Sequence, residues 1–180
     1  MSNETEMKDN VREDVYDKEL FDRLLDQNDI DEFRKEFLEL HNYEQSEYFE
    51  DTDDENRQKI FEFLSPKEVA NFFDQLDFDD DDYESLFDNM DATYASHVLE
   101  EMSYDNAVDI LNELSKPKVA SLLTLMNKDK ANEIKALLHY EEDTAGGIMT
   151  TEFISLKSTT PVKEALIHVK EQAPDAETIY

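Results

Sequence analysis

The sequence contains no cysteine and only two glycines, which are adjacent at Gly146 and Gly147. Without cysteine there is no disulfide framework, no thiolate metal site and no thiol nucleophile. A phosphate-binding P-loop and a dinucleotide-binding fingerprint each need more glycines at other spacings. Both nucleotide-binding motifs are therefore excluded.

Long hydrophobic runs are also absent. No stretch approaches the ~18 apolar residues that a membrane helix requires. The polar and acidic start, residues 1–10, argues against a secretory signal. We expect that this chain does not cross a bilayer by itself.

Basic residues are scarce and unevenly placed. The 180 residues include 17 Lys or Arg and 47 Asp or Glu, for a formal net charge of −30. Residues 68–115 contain no Lys or Arg and 15 Asp or Glu, which is half of that net charge. Such a polyanion repels nucleic-acid phosphates and anionic lipid headgroups, so neither is an expected partner.

An internal repeat runs through this acidic segment. An apolar residue followed directly by a helix-capping type recurs at steps of 12, 14, 12, 12 and 12 residues. The apolar positions are Leu64, Leu76, Met90, Met102, Leu114 and Met126, and the capping positions are Ser65, Asp77, Asp91, Ser103, Ser115 and Asn127. Short amphipathic helices separated by tight corners are the predicted unit, and because such helices are marginal alone they must stack. The pattern predicts an all-α fold, a superhelical stack of short helices.

The longer second step of the repeat falls in the acidic run at residues 77–82. Asp77, Asp79, Asp81 and Asp88 match positions 1, 3, 5 and 12 of a calcium-binding hand. However, Asp82 stands where the sharp turn needs glycine, and Asp88 stands where a bidentate Glu is expected. We therefore interpret the run as a solvated acidic insertion between two helices.

No catalytic constellation can be named. Histidines occur only at His41, His97, His139 and His168, without the spacing of a zinc protease or a visible nucleophile–base pair. We predict that the protein is not an enzyme.

Asp105 and Asp109 are the candidate metal ligands. They lie four residues apart in the helix that Ser103 is predicted to cap, so their carboxylates share one face. Like charges at this spacing cost roughly 0.2–0.5 kcal/mol, which a bound cation would reverse. Asp105 could instead simply complement the positive end of the helix, whereas Asp109 lies too far along for that role.

The character of the sequence changes after Tyr140. Glycine follows the last repeat, as is common just past a helix end. Phe153, Ile154 and Leu156 predict a short strand, and Pro161 begins a predicted helix that ends near Pro174. One strand and one helix are too little for a core, so we expect the chain to stop inside a second domain.

Residues 140–150 (YEEDTAGGIMT), 173–180 (APDAETIY) and 103–111 (SYDNAVDIL) are three distinctive runs of this sequence, and they resemble the MgtE-type magnesium transporters. The first run is similar to a specific motif of that family, and the second resembles its first CBS (cystathionine β-synthase) module. Residues 103–111 (SYDNAVDIL) are similar to the acidic helix of the family's cytosolic N domain. The resemblance covers most of the chain from about residue 20.

This resemblance implies a regulatory role. Full-length members are homodimeric magnesium channels of the bacterial cell membrane, with a superhelical N domain on the cytosolic face, two CBS modules and then membrane helices. Intracellular Mg²⁺, which is also the transported ion, binds between acidic N-domain and CBS faces and favours the closed pore. By residue matching, the resemblance implies that Asp105 and Asp109 occupy the Mg²⁺-contacting positions of the family's N domain, and Asn71 stands where at least one relative has an acidic ligand. No other cofactor is implied, and the CBS-side ligands, the nucleotide pocket and the pore lie beyond Tyr180.

The expected organisation has three parts. Residues 1–19 form an acidic mobile tail, residues 20–140 form the superhelical N domain, and residues 141–180 form a linker and the beginning of a truncated α/β CBS module. The expected partners are Mg²⁺, the chain's own CBS and transmembrane domains and a second copy. The alternative that the residues leave open is an acidic α-solenoid that binds a basic protein through residues 68–115 without a specific ion site.

Overall fold

A computed structural model describes residues 16–76, 78, 80–140, 144–146, 149 and 153–173, with only the backbone described at residues 80 and 81. These residues form eleven helices and contain no strand. The helices are α1 (Lys18–Asp26), α2 (Ile30–Phe37), α3 (Asn42–Glu50), α4 (Asp54–Phe63), α5 (Pro66–Phe73), α6 (Asp80–Asn89), α7 (Ala92–Glu101), α8 (Tyr104–Asn112), α9 (Lys116–Leu125), α10 (Lys128–Leu137) and α11 (Val162–Gln172). The predicted all-α architecture is therefore confirmed for the described residues.

The helix starts follow the predicted capping positions. Ser65 caps α5 and forms a reciprocal capping box with Glu68. Asp91 and Asn127 accept hydrogen bonds from the first turns of α7 and α10. Ser103 and Ser115 occupy the capping positions of α8 and α9, but their side chains make no capping hydrogen bond. Asp77, the remaining predicted cap, lies outside the described residues, and α6 begins at Asp80.

The repeated apolar positions lie at corners between successive helices, as predicted. Five of the six are buried, with exposed fractions of 2–7%: Leu64, Met90, Met102, Leu114 and Met126. Leu76 is only partly buried. It precedes the acidic insertion, where the two extra residues lengthen the connection between α5 and α6.

From α3 to α10 the main helix contacts join every second helix rather than neighbours in sequence, whereas α1 packs on its neighbour α2. α5 packs on both α3 and α7, α7 packs on α9, and α8 packs on α10. All their apolar faces contribute to one continuous hydrophobic core. The stack is therefore built from pairs of helices, and the single helix with its corner, which the sequence suggested as the unit, is half of the structural repeat.

Aromatic rings fill the N-terminal end of this core. Phe21, Phe33, Phe37 and Tyr48 make edge-to-face and stacked contacts with centroid separations of 5.0–5.9 Å. Tyr16 is buried and packs edge-on against Tyr48 at 5.7 Å. The packed region thus extends a few residues upstream of position 20, while residues 1–15 of the predicted tail lie outside the described part of the chain.

Basic residues from outside the segment 68–115 pair with its carboxylates. Lys67 pairs with Glu101 at 3.3 Å. Lys118 of α9, whose side chain is 16% exposed, pairs with Glu84 and Asp88 of α6. Glu84 also accepts a hydrogen bond from the backbone N–H of Ser115 at 2.9 Å, which satisfies a free donor at the start of α9. These contacts fix α6 against α9 across about 30 residues of chain.

The strand predicted around Phe153 is wrong. Residues 153–157 have no regular secondary structure, and the side chains of Phe153 and Leu156 are 67% and 43% exposed. A strand needs a partner for its backbone hydrogen bonds and its apolar face, and nothing in the described part of the chain provides one. The predicted helix is confirmed as α11, which has no buried residue. The predicted CBS motif after Ala173 lies outside the described residues.

A close backbone contact marks the end of the stack. Gly146 lies against the ring of Tyr140, so that a Cβ added at Gly146 would be only 2.2 Å from Tyr140 Cδ1. No other amino acid fits there unless the ring moves. This contact gives Gly146 a packing reason for its small size, whereas Gly147 lies outside the described residues.

Candidate acidic site on helix α8

Helix α8 presents both predicted metal ligands. Its buried face consists of Ala107, Val108, Ile110 and Leu111, which pack into the core. This packing fixes the rotation of the helix about its axis. Asp105 consequently lies half-buried in the first turn, and Asp109 lies exposed one turn later.

One carboxylate oxygen of Asp105 is buried without a hydrogen bond. Its Oδ1 is buried and has no hydrogen-bond partner among the described residues, and the same holds for Oγ of Ser103, the residue at the N-cap position of α8. A buried polar atom without a partner costs roughly 1–3 kcal/mol, and more when the group is charged. The positive end of the helix offsets part of this cost.

Asp109 lines a cleft together with Asn106. The cleft has a volume of about 260 Å³, and we call it the α8 cleft. It is lined by Phe73, Asp74, Leu76, Phe78, Tyr83, Met102, Asn106, Asp109, Ile110 and Glu113. Asp105 is not one of its lining residues. The structure therefore places the two predicted ligands on one helix but in different surroundings.

Sequence reasoning missed two carboxylates of this cleft. Asp74 is the C-terminal cap of α5, and Glu113 is the C-terminal cap of α8. The spacing Asn106, Asp109, Glu113 is the helical i, i+3, i+7 pattern, which could have indicated a polar stripe on α8. Only the packing of the helices reveals that Asp74 joins it.

The geometry limits how this surface could hold a metal ion. Within the described ranges, no three Asp, Glu or His side chains are grouped so that they could hold a metal. Mg²⁺ in proteins keeps several waters and typically uses one or two carboxylates. One or two carboxylates, such as Asp105 and Asp109, would leave most of the coordination sphere of such an ion to water or to groups from elsewhere. Asn71 is exposed on α5.

The calcium-hand alternative does not fit the structure. Residues 80–89, which include loop positions 4 to 12 of that register, are helical as α6. Asp88 pairs with Lys118. Asp77 and Asp79 lie outside the described residues.

Comparison with known proteins identifies the family. The family described as MgtE intracellular N domain matches residues 40–143. The chain is 46% identical over 151 residues to the magnesium transporter MgtE of Enterococcus faecalis, covering 84% of this chain and 33% of that protein. It is 27% identical over 157 residues to the magnesium transporter MgtE of Bacillus subtilis, covering 87% of this chain and 34% of that protein.

Solved structures agree in fold. The crystal structure of the soluble part of a magnesium transporter matches with a TM-score of 0.85 and 44% identity, over 91% of this chain and 64% of that one. The cytosolic domain of the Mg²⁺ channel MgtE in complex with ATP matches with a TM-score of 0.80 and 26% identity, over 91% of this chain and 66% of that one.

The helical stack, the acidic α8 face and these matches together define a protein of the MgtE N-domain class. This chain belongs to the MgtE intracellular N-domain family. It spans about a third of the length of the curated MgtE proteins of E. faecalis and B. subtilis. No helix in the described part of the chain is both long and apolar enough to cross a lipid bilayer.

Proposed function

We propose that this chain is the cytosolic Mg²⁺-sensing region of an MgtE-type magnesium transporter. In this proposal the α8 face of the N domain and an acidic face of the CBS region close on Mg²⁺, and the closed arrangement favours a closed pore. The chain works on the cytosolic face of the bacterial membrane, in a homodimer whose CBS and transmembrane domains lie outside it. Its role is regulatory rather than enzymatic.

One observation carries the ion-sensing part of the proposal. The Oδ1 atom of Asp105 is buried without a hydrogen-bond partner, on a surface that belongs to a segment with no Lys or Arg. A carboxylate oxygen that is buried without a hydrogen bond is explained if a cation binds it in another state of the protein. The names of the related proteins, all magnesium transporters, make Mg²⁺ the expected ion.

Charge repulsion provides the physical basis for a switch. Residues 68–115 carry 15 Asp or Glu and no Lys or Arg, and Arg34, Lys67 and Lys118 from outside pair with only a few of these carboxylates, so another acidic domain is repelled from this surface. Mg²⁺ that bridges the two faces removes this repulsion only in the docked state. A ligand shifts a two-state equilibrium by its difference in affinity for the two states, and here that difference favours docking.

The test is channel open probability against internal Mg²⁺ in the full-length protein. Changing Asp105 and Asp109 to alanine should leave conduction intact but raise the closing Mg²⁺ concentration about 5- to 150-fold, the range of typical coupling energies of ~1–3 kcal/mol. Glu133→Ala, an exposed carboxylate on α10, is the matched control and should leave the curve unchanged. An unchanged curve in the double variant would contradict the proposal.

The second candidate function is a docking face for a basic protein, favoured by the same net charge of residues 68–115. Salt distinguishes the two functions. A purely electrostatic docking face loses its partner as ionic strength rises. A Mg²⁺ site responds to millimolar Mg²⁺ at constant ionic strength.

A further inference from the structure

Lys130 of α10 places a positive charge beside the first turn of α8. Its Nζ lies 4.5 Å from the centroid of the Tyr104 ring, which is a cation–π contact. Tyr104 is the first residue of α8 and the direct neighbour of Asp105. Residues 68–115, which include α8, contain no Lys or Arg, so this charge comes from a helix outside the acidic segment.

The packing of α10 on α8 holds the charge in this place. The two helices are in direct contact. Ala131, Ile134 and Leu137 form the buried face of α10 and fix its rotation, and Lys130 is partly buried beside that face. The stem of the lysine is therefore confined between the helices while its ammonium group lies over the ring. The positive charge is a fixed part of the surface rather than the end of a freely moving side chain.

Local helix stability does not account for a lysine at this position. Lys130 lies in the first turn of α10, where the helix dipole favours negative side chains. Within the described ranges it forms no ion pair, in contrast to Lys118 of α9, which pairs with Glu84 and Asp88. The charge of Lys130 is thus not neutralised by a neighbouring carboxylate, and it acts on ions that approach the start of α8.

A positive charge here lowers the affinity of the α8 face for a metal cation. Consecutive Cα atoms are about 3.8 Å apart, so the ammonium group over Tyr104 lies on the order of 10 Å from the Asp105 carboxylate. At that separation in water, one positive charge weakens the binding of a divalent ion about two- to fivefold, with the smaller effect at higher salt. Lys130 opposes the attraction of the aspartates for the ion without occupying their site.

We propose that Lys130 determines the Mg²⁺ concentration at which the pore closes. Its ammonium group, held on the Tyr104 ring, weakens Mg²⁺ binding at Asp105 and so raises the closing concentration. This inference rests on the proposed function, because it requires that Mg²⁺ binds at Asp105. Since Lys130 acts through the electrostatic potential at the site, the charge of its side chain matters and its exact shape does not.

The test measures channel open probability against internal Mg²⁺ in the full-length protein. Lys130→Met keeps an unbranched stem but removes the charge, so the closing Mg²⁺ concentration should fall about two- to fivefold. Lys130→Arg retains the charge and the contact with the ring, and its curve should match that of the unmodified protein. Lys135→Met removes an exposed charge from a different face of α10 and should leave the curve unchanged.

The direction of the change separates this role from a structural one. A variant that loosens the packing of α10 on α8 weakens the Mg²⁺-bound state and raises the closing concentration, whereas loss of the Lys130 charge should lower it. Added potassium chloride should reduce the difference between Lys130→Met and the unmodified protein, because salt screens the repulsion. An unchanged or raised closing concentration in Lys130→Met would overturn the proposal, as would an equal decrease in Lys130→Arg.

Asp105→Asn distinguishes the failure of this proposal from the failure of the proposed function. If Asp105→Asn raises the closing concentration while Lys130→Met leaves it unchanged, the Mg²⁺-sensing function stands and the role of Lys130 is wrong. If Asp105→Asn leaves closure unchanged, the proposed function is wrong and the role of Lys130 falls with it. In the double variant the effect of Lys130→Met should be smaller than in the unmodified protein. An effect of full size there would mean that Lys130 acts at another site, which also overturns the proposal.

Discussion

Arg34 of α2 forms a two-pronged ion pair with Glu68 of α5, with nitrogen–oxygen distances of 2.6 and 2.8 Å. The same Glu68 carboxylate accepts hydrogen bonds from the backbone and side chain of Ser65 and so caps α5. One carboxylate thus joins a helix start to a helix 34 residues earlier in the chain. This pair closes the N-terminal helices onto the regular part of the stack.

Replacing Glu68 by glutamine should show how much this ion pair contributes to the free energy of unfolding. Glutamine retains the capping geometry but loses the charge. Because the side chains are 35% and 22% exposed, we expect the free energy of unfolding to fall by only about 1 kcal/mol. Urea unfolding at pH 7 measures this difference, with Glu62→Gln, which changes an exposed carboxylate on α4, as the control. Equal stability of the two variants would show that the pair contributes nothing.

The same pair should give the stability a pH dependence. Burial alone raises the pKa of Glu68, but hydrogen bonds from Arg34 and Ser65 outweigh it, so the pKa lies below its usual 4.5. A lowered pKa in the folded state stabilises the protein above pH 4.5, and this contribution is lost as the pH falls through the folded-state pKa. The stability difference between the unmodified chain and Glu68→Gln should therefore shrink between pH 5 and pH 3. A constant difference would contradict this assignment.

Periodicity and capping chemistry predicted the local structure because both act within a few residues. The corner at Met102, the capping box at Ser65 and the start of α11 all follow from near neighbours in sequence. The packing of every second helix, the joining of Asp74 to the α8 cleft and the contacts of Lys118 with α6 depend on chain segments about 30 residues apart. The failed strand at Phe153 shows the same limit, since an apolar run becomes a strand only beside a partner.

A charge placed at a corner should unfold the stack. Met102 is 2% exposed between α7 and α8, and Met102→Asp buries a carboxylate without a partner. Such an uncompensated charge costs about 3–5 kcal/mol. Leu125→Asp is the matched control, since Leu125 is 43% exposed on α9. Thermal unfolding followed by circular dichroism should show a large decrease in melting temperature for Met102→Asp and almost none for Leu125→Asp.

The contact between Tyr140 and Gly146 should not tolerate a methyl group. Gly146→Ala would place its Cβ within 2.2 Å of the ring, so the ring must leave its position. NOEs between the Tyr140 ring and residue 146 should disappear. In a double-mutant cycle with Tyr140→Ala, residues in direct contact should show a coupling of about 0.5 kcal/mol or more. If the changes in the free energy of unfolding were additive, Tyr140 and Gly146 would have no stabilising interaction with each other.

Magnesium binding by the 180-residue chain alone should be weak. The described residues offer no group of three metal-binding side chains, so that Mg²⁺ must keep most of its waters. Calorimetry should show only weak binding, as expected for one or two carboxylates and an ion that keeps its waters, and Asp105→Asn should reduce the binding heat further. Micromolar affinity would mean that the complete site lies within this chain rather than between domains.

Because the main contacts join every second helix, the helices differ in how much the stability of the stack depends on them. α7 is held by α5 on one side and α9 on the other, whereas α10 lies at the end of its row against α8 and α9. In a linear array each unit is stabilised by its neighbours, so damage at an end shortens the array while damage in the middle divides it. Fraying should therefore begin at α10 and leave the remainder folded. A defect in α7 would break the structure into two fragments, each with a newly bared apolar surface and a tendency to aggregate.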